Sequence, residues 1–271
     1  MITSARVATA DEAIRVLDAL RSANPLVHCM TNIVVAGFTA NVLLAIGASP
    51  AMVENVEESA EFAKIASGLL INLGSLSADK VAAMRLAATT AHASGTPWVL
   101  DPVAVGVLAY RTGFSASLLL ESPTIIRGNA SEILSLAGVA NSAGRGVDST
   151  ADSKSALPDA SEFARQQKTV VAVSGAIDYI TDGRQTIEVR TGDPIMTRVT
   201  GMGCALGALM AACAAVEPSP IIAASAGTSI LTVAAEIAVK ESNGSGSFVV
   251  NLLDALYRLD ASAIRRYMNA I

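Results

Sequence analysis

Cysteine is scarce in this chain of 271 residues, which contains only Cys29, Cys204 and Cys213. Their spacing forms neither a Cys-x-x-Cys pair nor a zinc-ligand pattern, and an odd number leaves one thiol over. A disulfide framework of the secreted type is therefore not indicated, and a reducing, cytoplasmic location is expected. The amino-terminal residues contain no apolar core segment, so the sequence also predicts no secretory signal.

Charged residues are few as well, at 16% of the chain against 52% hydrophobic residues. This composition predicts an extensive core and is compatible with a subunit interface. The formal net charge of −5 disfavours nucleic acid and an anionic membrane surface as main partners, because both carry negative charge. Any phosphate ligand would then be held by local N–H groups, a metal ion and a few placed cations.

Two further features are absent. The P-loop pattern G-x-x-x-x-G-K-[ST] does not occur, which excludes that class of phosphate site. A membrane span requires about 20 strongly apolar residues. The two apolar segments, 199–216 and 218–235, are instead rich in Ala, Gly, Ser and Thr, and Pro218 and Pro220 interrupt them. We therefore predict buried core helices there and no membrane partner.

A glycine-rich turn, Thr200-Gly201-Met202-Gly203-Cys204, leads into the first of these predicted helices. The N–H groups at a helix start have no intrahelical acceptor, and glycines let an anion approach them. The turn is therefore a candidate anion hole with a thiol at its mouth. Its spacing, G-x-G-x-x-x-G, is one residue longer than the dinucleotide fingerprint. The alternative is that the glycines merely permit close helix packing and that Cys204 is a small buried hydrophobe.

Predicted strands alternate with helices along most of the chain, beginning with a capping box at Thr9–Glu12 that predicts the first helix. This alternation predicts an α/β fold with a central, mostly parallel sheet, helices on both faces and an antiparallel hairpin at one edge. The polar segment from Gly138 to Pro158 is predicted to be a surface loop, and we expect residues 1–271 to form a single domain. The predicted strands are residues 26–30, 68–74, 97–101, 124–127 and 169–173, the hairpin between 179 and 189, and a last strand at 196–199.

Polar residues or glycines follow each of the apolar strands. In parallel sheets, ligands bind beyond the carboxyl ends of the strands. We therefore expect these residues to lie on one rim together with the Gly201–Cys204 turn. They are Asn32, Asn72, Asp101, Arg127, Gly128, Asn129, Ser174 and Gly175.

These motifs resemble the ribokinase-like superfamily, in which a Gly-x-Gly turn forms an anion hole and an Asn-x-x-Glu motif is associated with magnesium and phosphate. Here the two motifs are Gly201-Met202-Gly203-Cys204 and Asn129-Ala130-Ser131-Glu132. More narrowly, the chain resembles the hydroxyethylthiazole kinases, which have Cys where most of the superfamily has Asp. The matching segments, in order, are residues 28–32, 47–52, 71–74, 101–103, 127–132 and 200–204. The chain departs from the family pattern at 103–106 and in the polar segment 141–158.

The resemblance implies ATP-dependent phosphorylation of 4-methyl-5-(2-hydroxyethyl)thiazole at its primary alcohol, with Mg²⁺, by a homotrimer whose active sites lie at subunit interfaces. Three alternatives remain open. One is a kinase of the same fold that acts on a hydroxymethylpyrimidine or pyridoxal. The second is an ATP-dependent dehydratase of hydrated nicotinamide nucleotides, and the third is a non-catalytic nucleotide-binding module.

The candidate catalytic residues are Cys204, Gly201 and Gly203. The N–H groups of the turn would hold the transferring phosphoryl group. The thiol would face the substrate hydroxyl, and the helix amino terminus is expected to lower its pKa from about 8.5, so that some thiolate is present near neutrality. That makes Cys204 an adequate base.

Other candidates are assigned to the ligands. Arg127, Ser174 and Asn129 are candidates for ATP, and Asp101 and Glu132 are hard oxygen ligands suited to Mg²⁺. For the alcohol they are Met52, Asn32 and Gly201. Five of them have a plainer interpretation: Arg127 as a surface salt bridge, Ser174 as a turn serine, Asp101 as a turn aspartate, Glu132 as a first-turn glutamate of a helix and Met52 as a core methionine.

Overall fold

The computed structural model describes residues 5–138 and 152–270. The strands are β1 (Arg6–Val7), β2 (Leu26–Met30), β3 (Ser49–Ala51), β4 (Gly68–Asn72), β5 (Trp98–Asp101), β6 (Ile125–Asn129), β7 (Val170–Ser174), β8 (Asp178–Thr181) and β9 (Thr186–Val189). The helices are α1 (Ala10–Ala23), α2 (Ala36–Ile46), α3 (Val56–Ile65), α4 (Ala78–Ser94), α5 (Ala109–Leu118), α6 (Ala130–Leu136), α7 (Leu157–Gln167), α8 (Met202–Ala214), α9 (Pro220–Lys240), α10 (Ser245–Arg258) and α11 (Ala261–Met268).

The strands form one sheet in the order β1-β9-β8-β7-β6-β5-β4-β2-β3. Among the described strands only β8 runs against its neighbours, so the predicted mostly parallel sheet with an antiparallel hairpin is confirmed. The hairpin does not itself form the edge, because β1 pairs parallel with β9 and lies outside it. Two residues are too few to stand out as a strand in the sequence.

Both faces of the sheet are covered, as parallel strands require. Within β4, Leu70 faces a core built with α1, α2 and α8–α11, whereas Leu69 and Ile71 face the core built with α3–α7. This alternation is the period-two pattern of a strand that is buried on both sides.

Helix α8 crosses the sheet at very close range, and this placement brings its amino terminus to the strand ends. A Cβ atom on Gly68 of β4 would lie 2.6 Å from the Ala211 carbonyl oxygen of α8. Gly207 makes the matching approach from the helix, because a Cβ there would lie 3.0 Å from Leu70 Cδ1. The glycines on both elements therefore set how close the helix comes to the sheet.

Helix α9 is the one helix of the described chain that is long and apolar enough to cross a membrane by composition, and 83% of its apolar window is buried inside the protein. It packs against α8, α1 and α10 as a core helix. This agrees with the prediction of buried helices in both apolar segments.

Local signals located several element boundaries correctly. The capping box at Thr9 and Glu12 starts α1, and Ser77 caps α4. The strand predicted at 196–199 is wrong: residues Pro194–Arg198 form a 3-10 turn, since Pro194 lacks an N–H and the Asp193 side chain accepts from Ile195 N–H. Of the loop predicted between Gly138 and Pro158, residues 139–151 lie outside the described part, and α7 already begins at Leu157.

Candidate active site

The polar side chains at the strand ends form one continuous row of hydrogen bonds and one ion pair, at the common rim that the parallel sheet predicts. Asn32 Nδ2 donates to Asn72 Oδ1 at 3.2 Å, and Asn72 Nδ2 donates to Asp101 Oδ2 at 2.6 Å. Asp101 Oδ1 lies 3.6 Å from Arg127 Nη1, and Arg127 Nη2 donates to Ser174 Oγ at 3.1 Å. The row crosses the carboxyl ends of β2, β4, β5, β6 and β7.

The glycine turn lies against this row. Gly201 has φ of +88°, and a Cβ there would lie 2.5 Å from Val35 Cγ1, so the position requires glycine. The first helical hydrogen bond of α8 runs from Ala205 N–H to Gly201 O at 2.8 Å. The N–H groups of Met202, Gly203 and Cys204 precede that bond, as the first N–H groups of a helix do. The turn therefore places N–H groups without an intrahelical acceptor at the rim, as an anion hole would require.

Gly203 is also needed for the approach of Arg127. A Cβ on Gly203 would lie 2.7 Å from Arg127 Nη2. The guanidinium thus lies directly against the glycine turn, with Asp101 and Ser174 on its other sides. Its Nε atom is buried without a hydrogen-bond partner among the described residues. Arg127 is therefore a largely buried cation that lies against the glycine turn, and not a surface ion pair.

Cys204 is half-buried on the first turn of α8, and Asn32 Nδ2 donates to its Sγ at 3.5 Å. Burial and the negative charge of Asp101 together raise the pKa of the thiol to about 11, against the lowering effects of Arg127, Asn72 and Asn32. The expectation that the helix amino terminus lowers this pKa is wrong. Desolvation outweighs the helix dipole, so the thiol is neutral at pH 7.

Asp101 is fully buried at the end of β5. Burial raises the pKa of its carboxyl to about 6, Glu132 contributes in the same direction, and Arg127 and Asn72 lower it. Its Oδ1 atom has no hydrogen-bond partner among the described residues. Because an orphaned buried carboxylate oxygen is costly, this atom indicates a ligand site.

Glu132 and Asn129 form a capping box at the start of α6. The Asn129 side chain accepts from Glu132 N–H, and Glu132 Oε2 accepts from Asn129 N–H at 3.0 Å. Glu132 Oε1 accepts from Ala104 N–H, also at 3.0 Å, and so braces the turn after Asp101, in which Ala104 has φ of +61°. Both predicted residues are thus at the rim, and their oxygens already bind backbone N–H groups.

A magnesium ion fits this rim if other ligands complete its shell. Among residues 5–138 and 152–270 there is no group of three or more His, Cys, Asp or Glu side chains that could hold a metal. Mg²⁺ is usually held by one or two carboxylates together with waters and phosphate oxygens. The free Asp101 Oδ1, with the Glu132 carboxylate behind it, matches that donor set.

A cavity of about 600 Å³ opens beside the glycine turn. Five of the predicted residues line it, namely Arg127, Ser174, Gly175, Gly201 and Gly203. Residues that the sequence reasoning missed complete it, among them Asp178, Thr191, Asp193, Thr197 and Thr232. Asp178 could have been found, because an antiparallel strand begins at the rim where its parallel neighbours end.

Met52 is half-buried in the connection between β3 and α3, packed at the margin of the core. Two side chains hold this connection. His28 Nε2 donates to Val53 O at 2.7 Å, and Lys80 Nζ contacts Glu54 Oε1 at 2.9 Å. Lys80 Nζ also donates to Thr31 O at 3.4 Å, which ties the connection to the residue before Asn32.

The chain has a ribokinase-like fold, with Arg127 and a glycine turn at a helix amino terminus on the rim of its sheet. A solved ribokinase-like superfamily protein from Enterococcus faecalis shares the fold, with a TM-score of 0.67 and 13% identity over 98% of both chains. A model of the hydroxyethylthiazole kinase family matches residues 17–262, and the chain therefore belongs to that family.

Individual relatives agree with this assignment. A hydroxyethylthiazole kinase from Leptospira borgpetersenii is 54% identical over 250 residues, which is 92% of this chain and 94% of the relative. The solved hydroxyethylthiazole kinase from Pyrococcus horikoshii is 38% identical, with a TM-score of 0.88 over 95% of this chain and 97% of that one. The alternative functions are not favoured by these matches.

Proposed function

We propose that this chain transfers the γ-phosphoryl group of ATP to the primary alcohol of 4-methyl-5-(2-hydroxyethyl)thiazole. The observation that carries the proposal is the position of the glycine turn. Arg127, Ser174 and a nucleotide-sized cavity adjoin the turn at one end of the row of strand ends, and Cys204 contacts Asn32 at the other end of the row. A phosphoryl group held at the turn would then lie between its donor and its acceptor, as in-line transfer requires.

On the nucleotide side, Arg127 and Ser174 would bind the phosphates, because both line the cavity and are bonded to each other. Asn129, the N-cap residue of α6, would contact the nucleotide from the edge of the site. The N–H groups of Gly201 to Cys204 would hold the equatorial oxygens of the transferring group, where negative charge accumulates in the transition state.

Asp101 and Glu132 would hold Mg²⁺, Asp101 through its free Oδ1 atom and Glu132 through water. When bound, the ion would neutralise charge on the phosphates. Residues of this chain stabilise and orient the carboxylate of Asp101. Arg127 compensates the buried Asp101, and Asn72 fixes the direction of the Asp101 carboxylate through Oδ2.

On the alcohol side, Met52, Asn32 and Gly201 would contact the thiazole. A polarizable thioether suits a sulfur heteroaromatic ring, and the Asn32 amide can reach a ring nitrogen or hydroxyl. Cys204 would face the hydroxyl as its base. With a pKa of about 11, little of the thiol is ionised at neutral pH, so proton acceptance by Cys204 would limit the rate.

We also propose that residues 1–271 form one kinase domain, located in the cytoplasm and assembled as a homotrimer with interfacial active sites. The pairing of β1 with β9 supports the single domain, and the free thiols support the location. Exposed apolar side chains beside the site support the interface: Ile33 and Val34, next to Asn32, are 80% and 68% exposed. Light scattering of the purified protein tests the trimer.

The test of the reaction is phosphorylation of the thiazole alcohol by Mg-ATP, with ADP release and the phosphate ester both measured. We expect the wild type to form ester and Arg127→Ala to lose at least about a hundredfold in kcat/KM, since a charge-assisted contact to the transferring group is removed. Hydroxymethylpyrimidine and pyridoxal serve as competing alcohols. Preference for either one would overturn the thiazole assignment.

A further inference from the structure

The first residue of β8, directly after the loop from β7, is a carboxylate beside the arginine of the nucleotide cavity. Asp178 is half-buried, lines the cavity with Arg127 and Ser174, and begins β8. Its Oδ1 atom accepts from Gly175 N–H at 3.0 Å. Burial raises the pKa of Asp178 to about 6, while Gly175, the charge of Arg127 and the Ser174 hydroxyl each lower it. The carboxylate therefore lies in the same cavity as the serine that holds Arg127.

A serine hydroxyl has one proton to donate and lone pairs to accept with. Arg127 Nη2 donates to Ser174 Oγ, and a guanidinium has no acceptor. The Ser174 proton must therefore point elsewhere, and Asp178, whose pKa the Ser174 hydroxyl lowers, is a carboxylate that lines the same cavity and can accept it. With that proton turned to Asp178, the Ser174 oxygen presents its lone pairs to Arg127.

The loop is braced from a second side. Ser153, itself buried, donates through Oγ to Ile177 O at 2.6 Å. The position of Asp178 is thus set by the β8 pairing with Val189 and by the Gly175 and Ile177 contacts together. A carboxylate fixed in this way can orient its neighbour without moving itself.

We propose that Asp178 is a positioning residue for ATP binding, which orients the Ser174 hydroxyl and through it holds Arg127 against the glycine turn. This role rests on the proposed function of the cavity. In Asp178→Asn, the amide oxygen can still accept from Gly175 N–H. The amide NH2 group then donates toward Ser174 Oγ and competes with Arg127 for that oxygen.

The experiment is calorimetric titration of Mg-ATP into wild type, Asp178→Asn, Ser174→Ala and the double variant. We expect Asp178→Asn to raise the Kd about tenfold, the size of one hydrogen bond to a charged group. In the Ser174→Ala background the same change should alter Kd less than twofold, because its route to Arg127 is gone. The KM of the thiazole alcohol should stay within twofold throughout.

Asp182→Asn is the matched control. Asp182 follows the other end of β8 and accepts from Arg184 and Gln185 N–H, both at 2.8 Å, outside the cavity lining. The Asp182→Asn variant should leave the Kd for ATP unchanged. Thermal melts verify that each variant is folded. A wild-type Kd in Asp178→Asn, or effects that multiply in the double variant, would overturn the proposal. A wild type that binds Mg-ATP yet leaves the thiazole alcohol unphosphorylated overturns the proposed reaction instead.

Discussion

The sulfur of Cys204 and the amide of Asn32 lie 3.5 Å apart, although the two residues are separated by 172 positions in the chain. The amide donates to the sulfur and, from the same nitrogen, to Asn72 Oδ1. The thiol therefore belongs to the row of polar strand ends that reaches Asp101 and Arg127. Its chemistry is decided by that row as much as by the helix on which it lies.

Cys204→Asp should retain activity or exceed that of the wild type. A carboxylate is ionised at pH 7, whereas a thiol with a pKa of about 11 is almost entirely neutral. Wild-type kcat should rise with pH up to at least pH 9, and kcat of the variant should be nearly flat above pH 7. Steady-state kinetics from pH 6 to 9 measure both profiles. Complete inactivity of the variant would argue against a base role for this position.

Alkylation of Cys204 should be slow at neutral pH. The thiolate is the reactive form, and an ordinary cysteine has a pKa near 8.5. Burial and the charge of Asp101 raise the pKa of Cys204 to about 11, and burial raises those of Cys29 and Cys213 to about 12. Iodoacetamide labelling followed by peptide mass spectrometry should therefore increase steadily through pH 10. A plateau reached below pH 8.5 would contradict the burial argument.

Gly203→Ala should raise the KM for ATP by about tenfold or more while costing little stability. The added methyl group would meet the end of the Arg127 side chain, which can move away and so lose its place at the turn. Gly113→Ala in α5 is the control, because its Cβ meets nothing within 4 Å. That change should leave activity unaltered and raise stability by roughly 0.5–1 kcal/mol. Equal ATP kinetics in the two variants would contradict the prediction.

Asp178→Asn should be more stable than the wild type at pH 7 and equally stable near pH 4. Burial raises the folded pKa of Asp178 from 3.8 to about 6, so the folded state binds this proton more tightly than the unfolded state does. The stability that this proton contributes is complete below pH 4 and is lost as pH rises through 6, with a cost of about 2–3 kcal/mol. Urea unfolding at pH 4, 5, 6 and 7 measures the difference. A difference that does not vary with pH would refute the assigned cause.

Much of the fold follows from local patterns in the chain. The two capping boxes, at Thr9–Glu12 and Asn129–Glu132, each start a helix, and they depend only on residues three positions apart. The all-apolar run of β4 predicts a strand buried on both faces, and buried parallel strands place their carboxyl ends on one rim. From that rule alone Asn32, Asn72, Asp101, Arg127 and Ser174 could be grouped before any distance was known.

The tertiary structure decided what depends on neighbours that are distant in sequence. The raised pKa of Cys204 in α8 comes from burial and from the charge of Asp101 in β5. No sequence pattern around residue 204 predicts either effect. The pairing of β1 with β9 and the place of Asp178 beside Arg127 likewise join segments that the sequence keeps apart. Periodicity and capping are short-range properties of a chain, whereas desolvation and the proximity of charges arise only when the chain has folded.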